Sequence, residues 1–261
     1  MYSAVVLAGE RPGGSPLSRA LGLKASVLID VAGKPAVQRV MDALSGAELV
    51  LGGVLCGPAR TVYEAAPEFA RMLAGTSFQW LEPEAGPSAS AIKAVKTRNQ
   101  YPVLLTTGDH ALLTPALVDT FCRNAQVAGG DIVVGLTPYS IVRAAFPTSK
   151  RTVQRYRDGS FCGTNLFVVQ NPSGLAALEF WKTVEAERKQ PWKIAQKLGF
   201  AFLLRCALGR VSLQQALQQL SARCACTVTH VLINEARAAV DVDTLADRDL
   251  AQSVLLQHGQ A

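Results

Sequence analysis

Ala4-Val5-Val6-Leu7 runs straight into Ala8-Gly9-Glu10-Arg11-Pro12-Gly13-Gly14-Ser15-Pro16. A short apolar run that empties into a glycine-rich loop reads as a buried strand ending at a ligand crevice, the place where open α/β sheets bind. Glycine lets the backbone approach a ligand and turn its N–H groups toward phosphate oxygens. Arg11 adds a charged fork to such a loop. The spacing is neither Gly-x-Gly-x-x-Gly nor a Walker loop, so a Rossmann dinucleotide site and a P-loop are both excluded. Taken alone the loop leaves function open, since many glycine-rich loops bind nothing.

Working outward, β-branched runs alternate with helical patterns. Leu49–Leu55, Val103–Thr107, Ile132–Leu136 and Leu166–Val169 read as further buried strands. Ala36–Leu44, Val62–Leu73, Ser90–Thr97 and Pro115–Ala125 read as the helices between them. This alternation predicts one α/β domain over residues 1–261, a three-layer α/β/α sandwich on a mostly parallel sheet. Hydrophobic residues make up 49% of the chain, enough to cover a sheet on both faces, and only 18% are charged, which excludes disorder.

Residues 1–145 then form one half and 146–261 the other. In the second half Thr148–Arg157 is basic, and Asp158-Gly159 is a turn signal. Helices are expected at Gly174–Lys189, Trp192–Leu198 and Ser212–Ala222, the last with Ser212 as N-cap. Phe200–Leu208 is apolar except for Arg205 and is expected to be core, ahead of a homodimer face or a membrane-surface contact. A strand near Thr227–Leu232 and a helix from Thr244 close the chain.

The six cysteines form no Cys-x-x-Cys pair, and no His stands at zinc spacing from Cys224-Ala225-Cys226. They read as reduced thiols. No apolar run is long or charge-free enough to cross a bilayer, and the start lacks a basic leader, so a cytoplasmic protein is expected. The net charge of +6 is spread along the chain without a nucleic-acid motif or aromatic interleaving. It suits an anionic small molecule instead.

Two acidic segments complete the candidates. Leu104-Leu105-Thr106-Thr107-Gly108-Asp109-His110 ends a buried strand in Gly-Asp, at the same sheet edge as the first loop. Asp109 suits Mg²⁺, which binds hard oxygens and takes one or two protein carboxylates; a turn or N-cap aspartate is the plain alternative. Val240-Asp241-Val242-Asp243 reads as a strand end offering one carboxylate to the crevice, with Asp243 or Thr244 also suited to capping the last helix. Ile29-Asp30-Val31-Ala32-Gly33-Lys34-Pro35 reads as a strand, a glycine turn and a helix start with Pro35 at N1.

In combination and order these segments resemble the MobA-like nucleotidyltransferases of GT-A-type fold. The resemblance rests on Leu7-Ala8-Gly9, Gly33-Lys34-Pro35, Gly108-Asp109 through Thr114-Pro115, and Asp243-Thr244 through Asp247. It implies an enzyme that joins an NTP, CTP ahead of GTP, to a small phosphorylated acceptor with Mg²⁺ and releases pyrophosphate. It implies Arg11, Lys24, Asp109 and Asp243 as catalytic residues, with Asp109 and Asp243 on the metal. It places the nucleotide on Leu7, Ala8, Gly9, Glu10, Arg11, Gly13, Gly14, Gly86, Ser88, Ser90 and Gly108. The acceptor is expected at Lys150, Arg151, Arg155 and Asn165, with Arg157 beside them.

Two departures stand out. Glu10 replaces a glycine of the pattern, and Ser26 stands where its phosphate-binding lysine belongs, with Lys24 two residues upstream. They keep a non-catalytic nucleotide-binding protein as one alternative. Asp241-Val242-Asp243, an Asp-x-Asp, keeps a nucleotide-sugar glycosyltransferase as the other.

Overall fold

A computed structural model of the chain describes residues 1–10, 13–187, 190, 199–257 and 259. The strands are β1 Tyr2–Leu7, β2 Asp30–Val31, β3 Lys34–Pro35, β4 Val50–Cys56, β5 Phe78–Leu81, β6 Val103–Thr107, β7 Ile132–Pro138, β8 Gln154–Tyr156, β9 Gly159–Val169 and β10 Val228–Leu232. The helices are α1 Pro16–Leu21, α2 Ala36–Ser45, α3 Arg60–Ala65, α4 Pro67–Leu73, α5 Pro87–Arg98, α6 Pro115–Ala128, α7 Tyr139–Ala145, α8 Leu175–Ala186, α9 Phe200–Ala207, α10 Leu213–Cys224 and α11 Leu245–Gln257.

Eight strands form one sheet in the order β10-β7-β9-β6-β1-β4-β5, with β8 added to β9. β1 lies in the middle, parallel to β4 on one side and β6 on the other. The path leaves β1 in one direction through β4 and β5 and returns past it to β6, so the strand order reverses at β1 and opens a crevice at its carboxyl end. β9 runs antiparallel between β6 and β7 and makes the sheet mixed.

Strand alternation divides the core as the sequence predicts. Ala4, Val6 and Ala8 face one helix layer with Val37, Met41, Phe69, Leu117 and Phe121. Val5, Val103 and Leu105 face the other with Ala91, Val95, Phe180 and Leu217. A third cluster joins the two ends of the chain: Ile29 and Val31 pack with Val240, Val242, Val254 and Leu255. The last helix thus docks on the β2–β3 hairpin, beside the Asp109 turn.

Several expectations need correction. Val62–Leu73 is two helices, because Pro67 cannot continue α3 and instead opens α4. Pro35 precedes α2 as its cap residue rather than entering it. β5 and α7 are short elements that the sequence did not announce. β9 is eleven residues long, far beyond Leu166–Val169. Its first half is a polar and glycine-bearing stretch that hydrophobic patterning misses. The core reading of Phe200–Leu208 fails: no residue from 202 to 208 is buried, and Leu204 is 62% exposed. The helix expected at Trp192–Leu198 lies outside the described residues. Ser212 does cap α10, in a full capping box with Gln215. All six cysteines are free.

Candidate active site

The crevice begins where three strand exits meet. Ala8 N–H bonds to the Cys56 carbonyl at 2.8 Å, and Gly108 N–H bonds to the Leu7 carbonyl at 2.9 Å. The exits of β4 and β6 are therefore fixed against the loop that follows β1. Gly57 has a φ of +100°, and a Cβ there would lie 2.7 Å from the Gly9 nitrogen, so only glycine allows this approach. Gly13 and Gly14 also have positive φ, and Ser15 caps α1. Leu7, Ala8, Gly9, Glu10, Gly13, Gly14 and Gly108 are thus gathered along one edge, while Arg11 lies outside the described residues.

Asp109 sits on the turn after β6 and is partly open to solvent. Its pKa is pushed up to about 7, first by burial and then by the charges of Asp241 and Asp243; a hydrogen bond from Thr107 Oγ1 at 2.5 Å opposes the rise. Carboxylates far apart in the chain therefore converge here. Val242 N–H bonds to the Asp109 carbonyl at 3.0 Å, which pins the late segment to the turn. The sequence expectation that one carboxylate of this segment faces the crevice is corrected. Asp241 and Asp243 are two apart, share a side of an extended chain, and both act on Asp109.

Asp241 was not among the predicted site residues, and the structure holds it through two side chains. Arg151 Nη1 meets its Oδ1 at 2.7 Å, and Asn165 Nδ2 meets its Oδ2 at 3.4 Å. Arg151 Nη2 reaches Asp247 Oδ1, also at 2.7 Å, and the arginine side chain is only 7% exposed. Asn165 takes a left-handed φ of +51°, which asparagine tolerates better than most residues. Asp247 in turn accepts from the N–H and hydroxyl of Thr244 and closes a reciprocal cap on α11. Arg151 and Asn165, expected on the acceptor, are thus tied into the acidic wall. Lys150, Arg155 and Arg157 stay exposed on and beside β8.

The two departures of the sequence meet each other. Glu10 Oε2 accepts the Ser26 N–H at 2.5 Å. Lys24 Nζ donates to the Ala65 carbonyl at the end of α3. His110, next to Asp109, is buried, and burial holds its pKa down at about 4, so the ring is neutral. The carbonyls of Arg237 and Ala238 stand near it, but neither makes a well-formed hydrogen bond.

Gly86, Ser88 and Ser90, expected on the nucleotide, open α5. Ser90 Oγ accepts the Glu84 N–H at 2.9 Å and shapes the loop. Ser88 is engaged by Glu185 of α8, a residue with no signal in the sequence.

A family model for the MobA-like NTP transferase domain matches residues 4–222. The chain belongs to this family. Its activity class is nucleotidyl transfer, as the resemblance implied. A hypothetical transferase from Thermus thermophilus is 27% identical and superposes with a TM-score of 0.79 over 95% of this chain and 99% of that one. The fold is shared with 4-diphosphocytidyl-2C-methyl-D-erythritol synthase from Anaerococcus prevotii (10% identity, TM-score 0.59, 98% and 99% covered). It is also shared with a CMP:2-keto-3-deoxy-manno-octonic acid synthetase solved with CTP (14% identity, TM-score 0.58, 98% and 99% covered). No curated protein sequence matches the chain. Asp241, Asp243 and Asp247 fall beyond the matched span, so the family match and the acidic wall are separate observations. Among the described residues, no helix is long and apolar enough to cross a membrane.

Among the described residues no three or more His, Cys, Asp or Glu stand close enough to enclose a metal ion. The donors offered are the carboxylates about Asp109. Hard oxygens, few in number and open toward substrate, suit Mg²⁺, which normally completes its shell with water and phosphate.

Proposed function

We propose that the protein transfers a nucleoside monophosphate from an NTP, with CTP favoured, to a small phosphorylated acceptor and releases pyrophosphate. The observation that carries this is the Val242 N–H bond to the Asp109 carbonyl at 3.0 Å, which brings the Asp241–Asp243 segment to the turn beside the glycine loop of β1. Asp109 and Asp243 are the proposed Mg²⁺ ligands. A Mg²⁺ held by these two carboxylates would supply Lewis-acid stabilisation of phosphate charge. CTP is favoured because one structure of shared fold was solved with that nucleotide.

An acceptor phosphate is already anionic near neutral pH, so its oxygen attacks the α-phosphorus without a strong base. One P–O bond forms, the bond to pyrophosphate breaks, and the electron pair leaves with pyrophosphate. The chain's task is to position two anions and neutralise their charge. Backbone N–H groups of Gly9, Glu10, Gly13 and Gly14, with Arg11 and Lys24, take the triphosphate. Lys150, Arg155 and Arg157 meet the acceptor, and Arg151 with Asn165 contributes by holding Asp241.

A second reading has its own observation. Glu10 bonded to Ser26, with Lys24 turned to Ala65, leaves the phosphate side short of the family's usual lysine and fits a protein that binds nucleotide without turnover. A thermal-shift screen of the four NTPs with and without Mg²⁺ separates the readings when paired with a pyrophosphate assay against sugar, alcohol and cofactor phosphates. Mg²⁺-dependent stabilisation with pyrophosphate release supports transfer. Stabilisation with no release from any acceptor supports the binding protein, and no response to any NTP removes both.

A further inference from the structure

α8 lies antiparallel along α5. Lys96 near the end of α5 meets Glu179 at 3.3 Å, and six residues later along α8 Glu185 reaches the start of α5. Glu185 Oε2 accepts twice from Ser88, from the hydroxyl at 2.5 Å and from the N–H at 3.2 Å. Its other oxygen, Oε1, makes no hydrogen bond among the described residues. It lies 2.7 Å from where a Cβ on Gly86 would stand, so any side chain at 86 would push the carboxylate away. A half-buried carboxylate is thus fixed by one oxygen, with the other unbonded among the described residues, at the helix start proposed for the base.

A carboxylate only accepts hydrogen bonds. In a crevice built for a polyanion it is unfavourable unless it meets a donor. The donors of a nucleotide lie on its ribose and its base, and the bases differ there. Cytosine carries an amino group where uracil carries a carbonyl, so an acceptor favours the first and repels the second. We propose that Glu185 determines base specificity, Oε1 accepting from the exocyclic amino group of cytosine. This rests on the NTP-site reading of Gly86–Ser90. A role in binding ribose hydroxyls is the competing outcome, since CTP and UTP carry the same ribose.

The test is calorimetric titration of the full chain with CTP and with UTP in the presence of Mg²⁺, for wild type, Glu185→Gln and Glu185→Ala, each checked for a cooperative melt. Wild type should favour CTP by roughly tenfold or more, the scale of a hydrogen bond to a charged group. In Glu185→Gln the amide oxygen is retained by the two Ser88 donors, which puts N–H₂ in place of Oε1. The preference should fall to about even or invert toward UTP, whose carbonyl now finds a donor. Glu185→Ala should lose the preference without a gain for UTP.

Equal affinity of wild type for both nucleotides overturns the proposal alone. So does a CTP preference that survives both substitutions, which would make Glu185 a helix cap or a ribose partner. Tighter binding of both nucleotides by Glu185→Ala would make it a plug and overturn it too. A folded wild type that binds no NTP removes the NTP-site reading and this inference together.

Discussion

The acidic wall and the glycine loop, proposed as the phosphate side, lie at one sheet edge and are held in different ways. On the acidic side every main group has a fixed partner. Val242 is bonded to the Asp109 turn, Asp241 to Arg151 and Asn165, and Asp247 to Arg151 and Thr244. On the phosphate side the side-chain anchors are fewer: Glu10 bonded to Ser26, and an exposed Lys24 resting on a backbone carbonyl. Among the described residues, the cation fixed at this edge is Arg151, and it is spent on the acidic wall itself. One buried guanidinium serves two carboxylates, and Asp109, which it does not touch, is the group whose pKa rises. Under the proposed function the wall would be completed by a cation that arrives with substrate, as an electrostatic site for phosphoryl chemistry requires.

The sharpest way to break the comparison is Asp109→Asn. If Asp109 belongs to the cation site, turnover should fall by roughly 10³-fold or more. Stability should move the other way. With its pKa at about 7 against an ordinary 3.8, the folded state keeps a proton that the unfolded chain has lost between those values. Its contribution to stability is therefore intact below about pH 4 and lost as pH rises toward 7. Asparagine removes this loss, so the variant should gain on the order of 1–3 kcal/mol over wild type at pH 8 and much less at pH 5. Urea unfolding without divalent cation measures it. Parallel curves at the two pH values would mean that Asp109 is not crowded by carboxylates.

Arg151→Ala tests whether the acidic wall depends on its clamp. Removing one partner of a buried pair leaves the others uncompensated, and with Asp241 partly solvated the cost should be about 2–3 kcal/mol. Through misplaced Asp241, kcat should fall about tenfold with little change in KM for the NTP. Arg151→Lys restores the charge but not the fork to two carboxylates, so it should recover only part. A loss confined to the acceptor's KM would place Arg151 on the acceptor instead and dissolve the clamp.

What the sequence could and could not disclose follows the same division. Residues acting through local pattern were legible: the strand–glycine junction at Leu7–Gly9, Gly108-Asp109 at a strand end, and the Ser212 cap. Their signals are periodicity, glycine and capping, all read within a few positions. Asp243 was legible through its place in a family motif. Asp241 was passed over although it lies two residues away, because its role comes from Arg151, ninety positions upstream in the chain. Arg151 reads as one of a basic run expected to meet the acceptor, and nothing local marks it as the buried member. Glu185 and the polar half of β9 were invisible for the same reason. Their partners are set by antiparallel packing of distant elements, which hydrophobic patterning does not encode.

The smallest effects should come from the phosphate side. Lys24 is exposed and, among the described residues, bonded to the Ala65 carbonyl, so Lys24→Ala should change stability by less than about 0.5 kcal/mol. Its effect on triphosphate affinity decides its role: a loss of about threefold to tenfold means the ammonium leaves Ala65 for the phosphates, and no loss means it stays. Ser26→Lys asks the converse. A lysine there starts beside the Glu10 carboxylate, and an exposed pair of this kind is worth about 0–1 kcal/mol. That is too little to hold the ammonium away from a triphosphate, so the rate should rise a few-fold. An unchanged rate would show that Glu10 retains the new charge. The phosphate side would then be as firmly committed as the acidic wall, and the contrast between them would be lost.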